Sequence, residues 1–261
     1  MMHEVSRFAV RMLALGCLLA VGQTAHAEER ITVAAAADLK FALDEVVVLF
    51  KSTHPAAHIE TIYGSSGKFS TQIRQGAPYD IYFSADIAYP RALNAEGLGA
   101  SEVQTYGVGR IVLWSQSRDA GKMTLADLTD PSIRKIAIAN PEHAPYGQRA
   151  EEALKAAGVW EKVEHKLVYG ENIAQTAQYA QSGNAQVGII ALSLALGPEL
   201  AKQGSYALIP DKLHQPLEQG FIITRRAADN ALAHEFARFM AGREVRAIMT
   251  RYGFALPGEV K

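Results

Sequence analysis

Two neighbouring stretches decide the fold: Tyr63-Gly64-Ser65-Ser66-Gly67-Lys68, and Gln75-Gly76-Ala77-Pro78-Tyr79-Asp80-Ile81-Tyr82-Phe83-Ser84-Ala85-Asp86. An apolar strand ends in a small, hydroxyl-rich turn, a helix starts, and a second apolar strand follows it. Working outward, 31–36 reads as a strand. Residues 39–52 read as a helix, with Leu39, Leu43, Val46, Val47 and Phe50 near helical spacing. A strand over 58–63, a helix over 70–75 and a strand over 79–85 complete a β-α-β-α-β order, the pattern of a parallel sheet with helices on both faces. Backbone N–H groups at a helix start form an anion site, small residues let an anion approach, and serine hydroxyls add donors without charge.

The pattern restarts near Gly107-Val108-Gly109 and runs through 107–114. Strands are predicted over 135–139, 166–169, 186–190 and 221–224, and helices over 147–157 and 174–181. One long amphipathic helix is predicted over 231–249, with Leu232, Phe236, Phe239, Met240, Val245 and Ile248 apolar. In open α/β sheets, ligands sit beyond the C-terminal ends of the strands. The turns at Ala36-Ala37-Asp38, at Gly64-Ser65-Ser66, between Asn140 and Gly147, and between Gly170 and Ile173 all qualify.

At the N-terminus, Arg7 and Arg11 flank an apolar run from Met12 to Val21, and Ala25-His26-Ala27 follows. A basic segment, a short apolar segment and an A-x-A site read as a cleaved secretory signal over 1–27, too short for a membrane span. Cys17 raises a lipoprotein alternative, but Leu15 stands where a small residue is usual. Cys17 is the single cysteine, so the mature chain has no disulfide, zinc-thiolate site or thiol nucleophile. With 261 residues, 49% hydrophobic, the chain can bury a large core. A net charge of −1 implies neither nucleic-acid nor anionic-membrane binding.

Four segments, in order, resemble the periplasmic molybdate-binding proteins that feed an ABC importer: Val33-Ala34-Ala35-Ala36-Ala37-Asp38-Leu39, the Gly64-Ser65-Ser66-Gly67 to Ala85-Asp86 stretch, Asn140-Pro141-Glu142-His143-Ala144-Pro145-Tyr146-Gly147, and Arg251-Tyr252-Gly253-Phe254. The resemblance covers nearly the whole mature chain. It implies an α/β, two-lobed type II periplasmic binding protein, each lobe a mostly parallel sheet flanked by helices, with the ligand in the cleft. The expected division is 28–106 and 218–261 for lobe 1 and 107–217 for lobe 2, with crossings near 105–110 and 213–221. It implies a periplasmic, monomeric, non-enzymatic protein without a cofactor or a coordinated cation. Such a protein captures molybdate or tungstate and hands it to a membrane permease.

Carried over residue by residue, the resemblance places the oxyanion on Ala37, Asp38, Ser65, Ser66, Tyr146 (through its hydroxyl) and Ile173. Some relatives carry a hydroxyl or amide residue in place of Asp38, and some a tyrosine in place of Ala191. From the residues alone, Asp38 is also a helix N-cap candidate for the helix from Leu39, and Ser65 and Ser66 for the helix from Lys68. Tyr146 is also an aromatic filling the closed cleft, and Lys68 a solvated first-turn lysine. Gly67-Lys68 is no P-loop, and His234-Glu235 lacks the second histidine of a zincin motif. Sulfate or phosphate binding, and a hydrolase using Ser66 with His143 or Asp86, stand as alternatives.

Overall fold

The computed structural model describes residues 30–256. The predicted signal segment and Cys17 lie outside the described residues. Strand β1 (Arg30–Ala36) passes through a single 3-10 turn, Ala37–Leu39, into α1 (Lys40–Thr53). There follow β2 (His58–Gly64), α2 (Ser66–Arg74), β3 (Ile81–Ser84), α3 (Ala88–Ala95) and β4 (Gln104–Gly109). After Arg110 come β5 (Ile111–Ser115), β6 (Ile136–Ala139), α4 (Pro145–Ala156), α5 (Trp160–Val163), β7 (Leu167–Gly170) and α6 (Ile173–Gln181). Next are β8 (Val187–Ala191), α7 (Leu192–Ala195), α8 (Leu200–Gln203) and β9 (Ser205–Leu208). The chain closes with β10 (Leu217–Ile223), α9 (Ala231–Phe239) and α10 (Arg243–Arg251).

The strands form two five-stranded sheets, ordered β2-β1-β3-β10-β4 and β7-β6-β8-β5-β9. In the first, β1 runs parallel to β2 and β3, while β10 is antiparallel to both β3 and β4. In the second, β6 runs parallel to β7 and β8, while β5 is antiparallel to both β8 and β9. Each sheet is therefore mixed, with one reversed strand in fourth place and the other four pointing one way. Both sheets present the C-terminal ends of their parallel strands to the same cleft.

The first sheet is covered on both faces, which explains its unbroken apolar runs. Val33, Ala35, Ile81, Phe83, Phe221 and Ile223 face a core built with α1, α9 and α10. Ala34, Tyr82 and Ile222, one step along each strand, face a second core with Phe69, Ile73 and Leu93 from α2 and α3. That is the two-residue alternation of a strand. Trp114 and Ile138 anchor the core of the second sheet.

Several predicted elements differ from those observed. The apolar stretch 107–114 is not one strand but the end of β4 and most of β5, which join different sheets on either side of Arg110. The long helix predicted over 231–249 is two helices. Gly242 has extended backbone (φ −66°, ψ 153°) and ends the continuity, while both helices bury a face in the same core, so the apolar periodicity runs on across the break.

Candidate functional site

One small cavity lies where the two sheets meet. Ala36, Ala37, Asp38, Gly64, Ser65, Ser66, Ala85, Ala144, Pro145, Tyr146 and Ile173 line it. All six residues singled out in the sequence are brought together there, from four separate strand ends. Each turn then opens a helix: α1 through its 3-10 turn, α2 at Ser66, α4 at Pro145 and α6 at Ile173. First-turn N–H groups have no intrahelical partner and carry the positive end of the helix dipole. At α6 the Asn172 side chain accepts from the amides of Ala174 and Gln175, both at 3.0 Å, which leaves the Ile173 amide to the cavity.

The two serines do different work. Ser66 Oγ accepts the Ala85 N–H at 3.0 Å. The oxygen is thereby fixed, and the hydroxyl hydrogen remains to donate into the cavity. Ser65 instead reaches across to the second lobe, donating its hydroxyl to the His143 carbonyl and lying 3.0 Å from His143 Nδ1. The same carbonyl accepts the Gly67 amide at 2.9 Å. A Cβ on Gly67 would lie 2.7 Å from that carbonyl oxygen, so only glycine allows this approach. Neither serine side chain caps α2, so the capping reading of both is set aside.

The Tyr146 hydroxyl donates to Asp38 Oδ2 at 3.0 Å. Tyr146 is 2% exposed, and its place on the cavity wall is at the first turn of α4. The reading of Asp38 as a helix N-cap is corrected. The N-cap position of α1 is Leu39, and no side chain caps there. The Asp38 carboxyl instead anchors a buried network. Gln219 Nε2 donates to Oδ2 at 2.9 Å and to the Tyr146 hydroxyl at 3.0 Å, Tyr106 donates to Gln219 Oε1 at 2.6 Å, and Ser193 donates to the Asp38 carbonyl at 2.7 Å. The network ties β1, β4, β10, α4 and α7 together at the place where the chain crosses between sheets.

Sequence reading missed Gln219, Tyr106 and Ser193. A register shift between Gln219 and Gly220 leaves Tyr106 as the extra residue opposite them. Such a bulge re-aims side chains, and here Tyr106 and Gln219 turn toward each other beneath the cavity. The signal available was a polar residue followed by glycine within an otherwise apolar strand.

Burial pushes the Asp38 carboxyl up to about 6, against the opposing hydrogen bonds from Gln219 and Tyr146. Burial, followed by the charge of Asp38, pushes the Tyr146 and Tyr106 phenols well above their ordinary value, so both remain donors. Burial lowers the His143 imidazole.

The cleft mouth is bridged by charge pairs. Lys68 of α2 meets Glu171 beyond β7. Arg149 of α4 lies 3.4 Å from Asp86 and 2.6 Å from Glu152. Both cations are therefore engaged by carboxylates, and the cavity wall itself carries no lysine or arginine. Ser65, His143 and Glu171 have the residue types of a hydrolytic triad without its geometry. The serine proton is given to a carbonyl, and His143 Nε2 stands 3.8 Å from a carboxylate already engaged by Lys68. Ser66 is bonded to an amide and not to His143 or Asp86, so it has no adjacent base. Among the described residues no cluster of three or more His, Cys, Asp or Glu could hold a metal ion.

The description "bacterial extracellular solute-binding protein" fits residues 31–255. The chain belongs to that family. Among its curated members, this solute-binding protein is 36% identical over 247 residues to the molybdate-binding protein ModA of Rhodobacter capsulatus, covering 92% of this chain and 94% of the relative. It is 32% identical to the Azotobacter vinelandii protein of the same name, covering 98% and 100%. The solved structure of the Azotobacter vinelandii periplasmic molybdate-binding protein superposes with a TM-score of 0.82 at 30% identity, over 87% of this chain and 99% of that one. Two lobes enclosing a small cleft are thus the fold of the family, and of this member.

Proposed function

We propose that this protein captures molybdate outside the cytoplasm and delivers it to the membrane permease of an ABC importer, taking tungstate by the same chemistry. The observation that carries the reading is the convergence of four helix starts and the free Ser66 hydroxyl hydrogen on one small cavity. Its wall offers donors and no cation. The donors meet oxo oxygens and not the metal, so the anion is held without a covalent bond and released unchanged. The relatives named for molybdate binding support the choice of anion. On this reading the amides of Ala37, Asp38, Ser65, Ser66, Tyr146 and Ile173 and the Ser66 hydroxyl form the donor set. Residues 1–27 are a cleaved export signal, and the protein acts as a monomer in the periplasm. Because β4 and β10 both belong to the first sheet, the expected boundaries move from 106 to 109 and from 218 to 217: among the described residues lobe 1 is 30–109 with 217–256, lobe 2 is 110–216, and the hinge lies at Arg110 and in the 209–216 stretch. The function is binding, not catalysis.

A fixed set of donors selects on anion size. Sulfate is smaller than molybdate and leaves donors unpaired, at about 1–3 kcal/mol for each buried donor. Competition between the two anions on the purified mature chain is expected to favour molybdate by about five- to 150-fold for each donor lost. Equal affinities would show that the cavity does not discriminate by size and would return sulfate as the ligand. Phosphate, measured in the same series, tests the other alternative.

A further inference from the structure

The cavity wall holds one buried polar atom that no protein group satisfies. Asp38 is 1% exposed and lines the cavity. Its Oδ2 accepts from both Tyr146 and Gln219, while its buried Oδ1 has no hydrogen-bond partner among the described residues. A buried carboxylate oxygen without a donor is unfavourable, and a cation or a proton relieves it.

The surrounding elements supply no cation. Helix α6 carries Tyr179 as its one titratable side chain and α7 carries none. On β2, the Tyr63 hydroxyl is taken by Asp44, which also pairs with Lys40 of α1, and His58 stands at the far end of the strand. On α4, Arg149 is engaged by Asp86 and Glu152. On β10, Glu218 faces Arg91, and on β4 the Tyr106 hydroxyl is given to Gln219 and Ser84. His143, before α4, is bonded to Ser65.

We propose that Asp38 holds the captured dianion as a neutral carboxylic acid with its proton on Oδ1, so that each anion enters the site together with one proton from solvent. The inference rests on the molybdate reading. No bond of the anion breaks, and the proton comes from bulk water and returns to it on release. Protonation removes a like charge from beside the ligand and turns an orphan acceptor into a donor. Burial already places the ligand-free Asp38 near 6, and a neighbouring dianion raises it further. Asp38 then also contributes to specificity. A fully deprotonated dianion requires the added proton, whereas hydrogen phosphate brings its own and satisfies an ionised Oδ1 without uptake.

The test is calorimetric titration of the mature chain with molybdate between pH 6 and 8.5, repeated at pH 7.5 in two buffers of different ionisation enthalpy. Above pH 6 the wild-type protein should take up close to one proton per molybdate, and its Kd should weaken by up to about tenfold per pH unit. Asp38→Asn, which keeps the shape and places an amide donor there, should bind with no proton uptake and a flat Kd. A second readout is the ligand-free melting temperature. The folded-state value of Asp38 lies above its ordinary 3.8, so the wild type should gain stability as pH falls through 6, and Asp38→Asn should not. Wild-type binding that ignores pH, or an Asp38→Asn protein that keeps the wild-type slope, overturns the proposal. The second outcome would assign the proton to another group such as His143. Absence of molybdate binding at every pH would overturn the molybdate reading and this inference together, whereas pH-independent binding overturns the inference alone.

Discussion

Gly109→Ala is expected to lower the melting temperature of the ligand-free protein by about 6–12 °C and to weaken molybdate capture at least about tenfold. Gly109 is the last residue of β4, at the crossing between lobes. A Cβ there would run into the Tyr146 hydroxyl and the Gln219 amide, the two donors that hold Asp38. Overpacking a filled interior costs about 1–3 kcal/mol. Displacing a donor from a buried carboxyl costs about 1–3 kcal/mol more. A combined loss of about 3 kcal/mol, in the lower half of the summed range of about 2–6 kcal/mol, corresponds to the stated shift for a chain of this size. Affinity falls because Tyr146 and Asp38 also line the cavity. Gly121→Ala is the control, since a Cβ there meets nothing nearer than 3.4 Å. A Gly109→Ala protein that melts and binds like wild type would show that the network under the cavity can rearrange freely.

Ser66→Ala is expected to reduce molybdate affinity by about 1.5–3 kcal/mol, ten- to a hundredfold or more, through loss of a hydroxyl donor to a charged oxygen. Read from the sequence as a donor to the anion, Ser66 gives no reason for the ligand-free protein to be affected. The structure gives one. Ser66 Oγ is the acceptor of the Ala85 amide, so the substitution leaves a buried N–H unpaired and costs the ligand-free protein about 1–3 kcal/mol as well. Melting curves with and without molybdate separate the two losses. A stability loss with unchanged affinity would assign Ser66 to holding Ala85 alone.

The sequence disclosed the places where chain reversals meet the cleft, because those places are local. A strand end followed by small residues and a helix start is written within a few positions, as at Ala36-Ala37-Asp38 and Gly64-Ser65-Ser66. What those side chains bond to is not local. Asp38 is held by Tyr146 and Gln219, 108 and 181 residues away. The bulge that aims Gln219 depends on the pairing of β10 with β4, which no periodicity within either strand reveals. Glu218 and Gln219 made the start of β10 read as loop, although its polar residues are used: Glu218 faces Arg91 at the surface and Gln219 is fully buried. Ser65 shows the same limit. As residue types, two adjacent serines are equivalent, yet one donates across to the His143 carbonyl and the other accepts the Ala85 amide. An ionised Asp38 facing a bound anion at 4 Å would be repelled by about 4 kcal/mol per unit charge at an effective dielectric of about 20. The donors on Oδ2 favour the ionised form, so they leave that repulsion in place, and a proton on Oδ1 is what would remove it.

On the proposed function, molybdate sits between the four helix starts. Crystals of the mature chain grown with molybdate, measured at the molybdenum absorption edge, test it directly. A single anomalous peak is expected in the cavity lined by Ala37, Ser66 and Ile173, with an oxo oxygen within hydrogen-bonding distance of Ser66 Oγ and the Tyr146 hydroxyl still on Asp38. A peak elsewhere, or no peak at saturating molybdate, would contradict it.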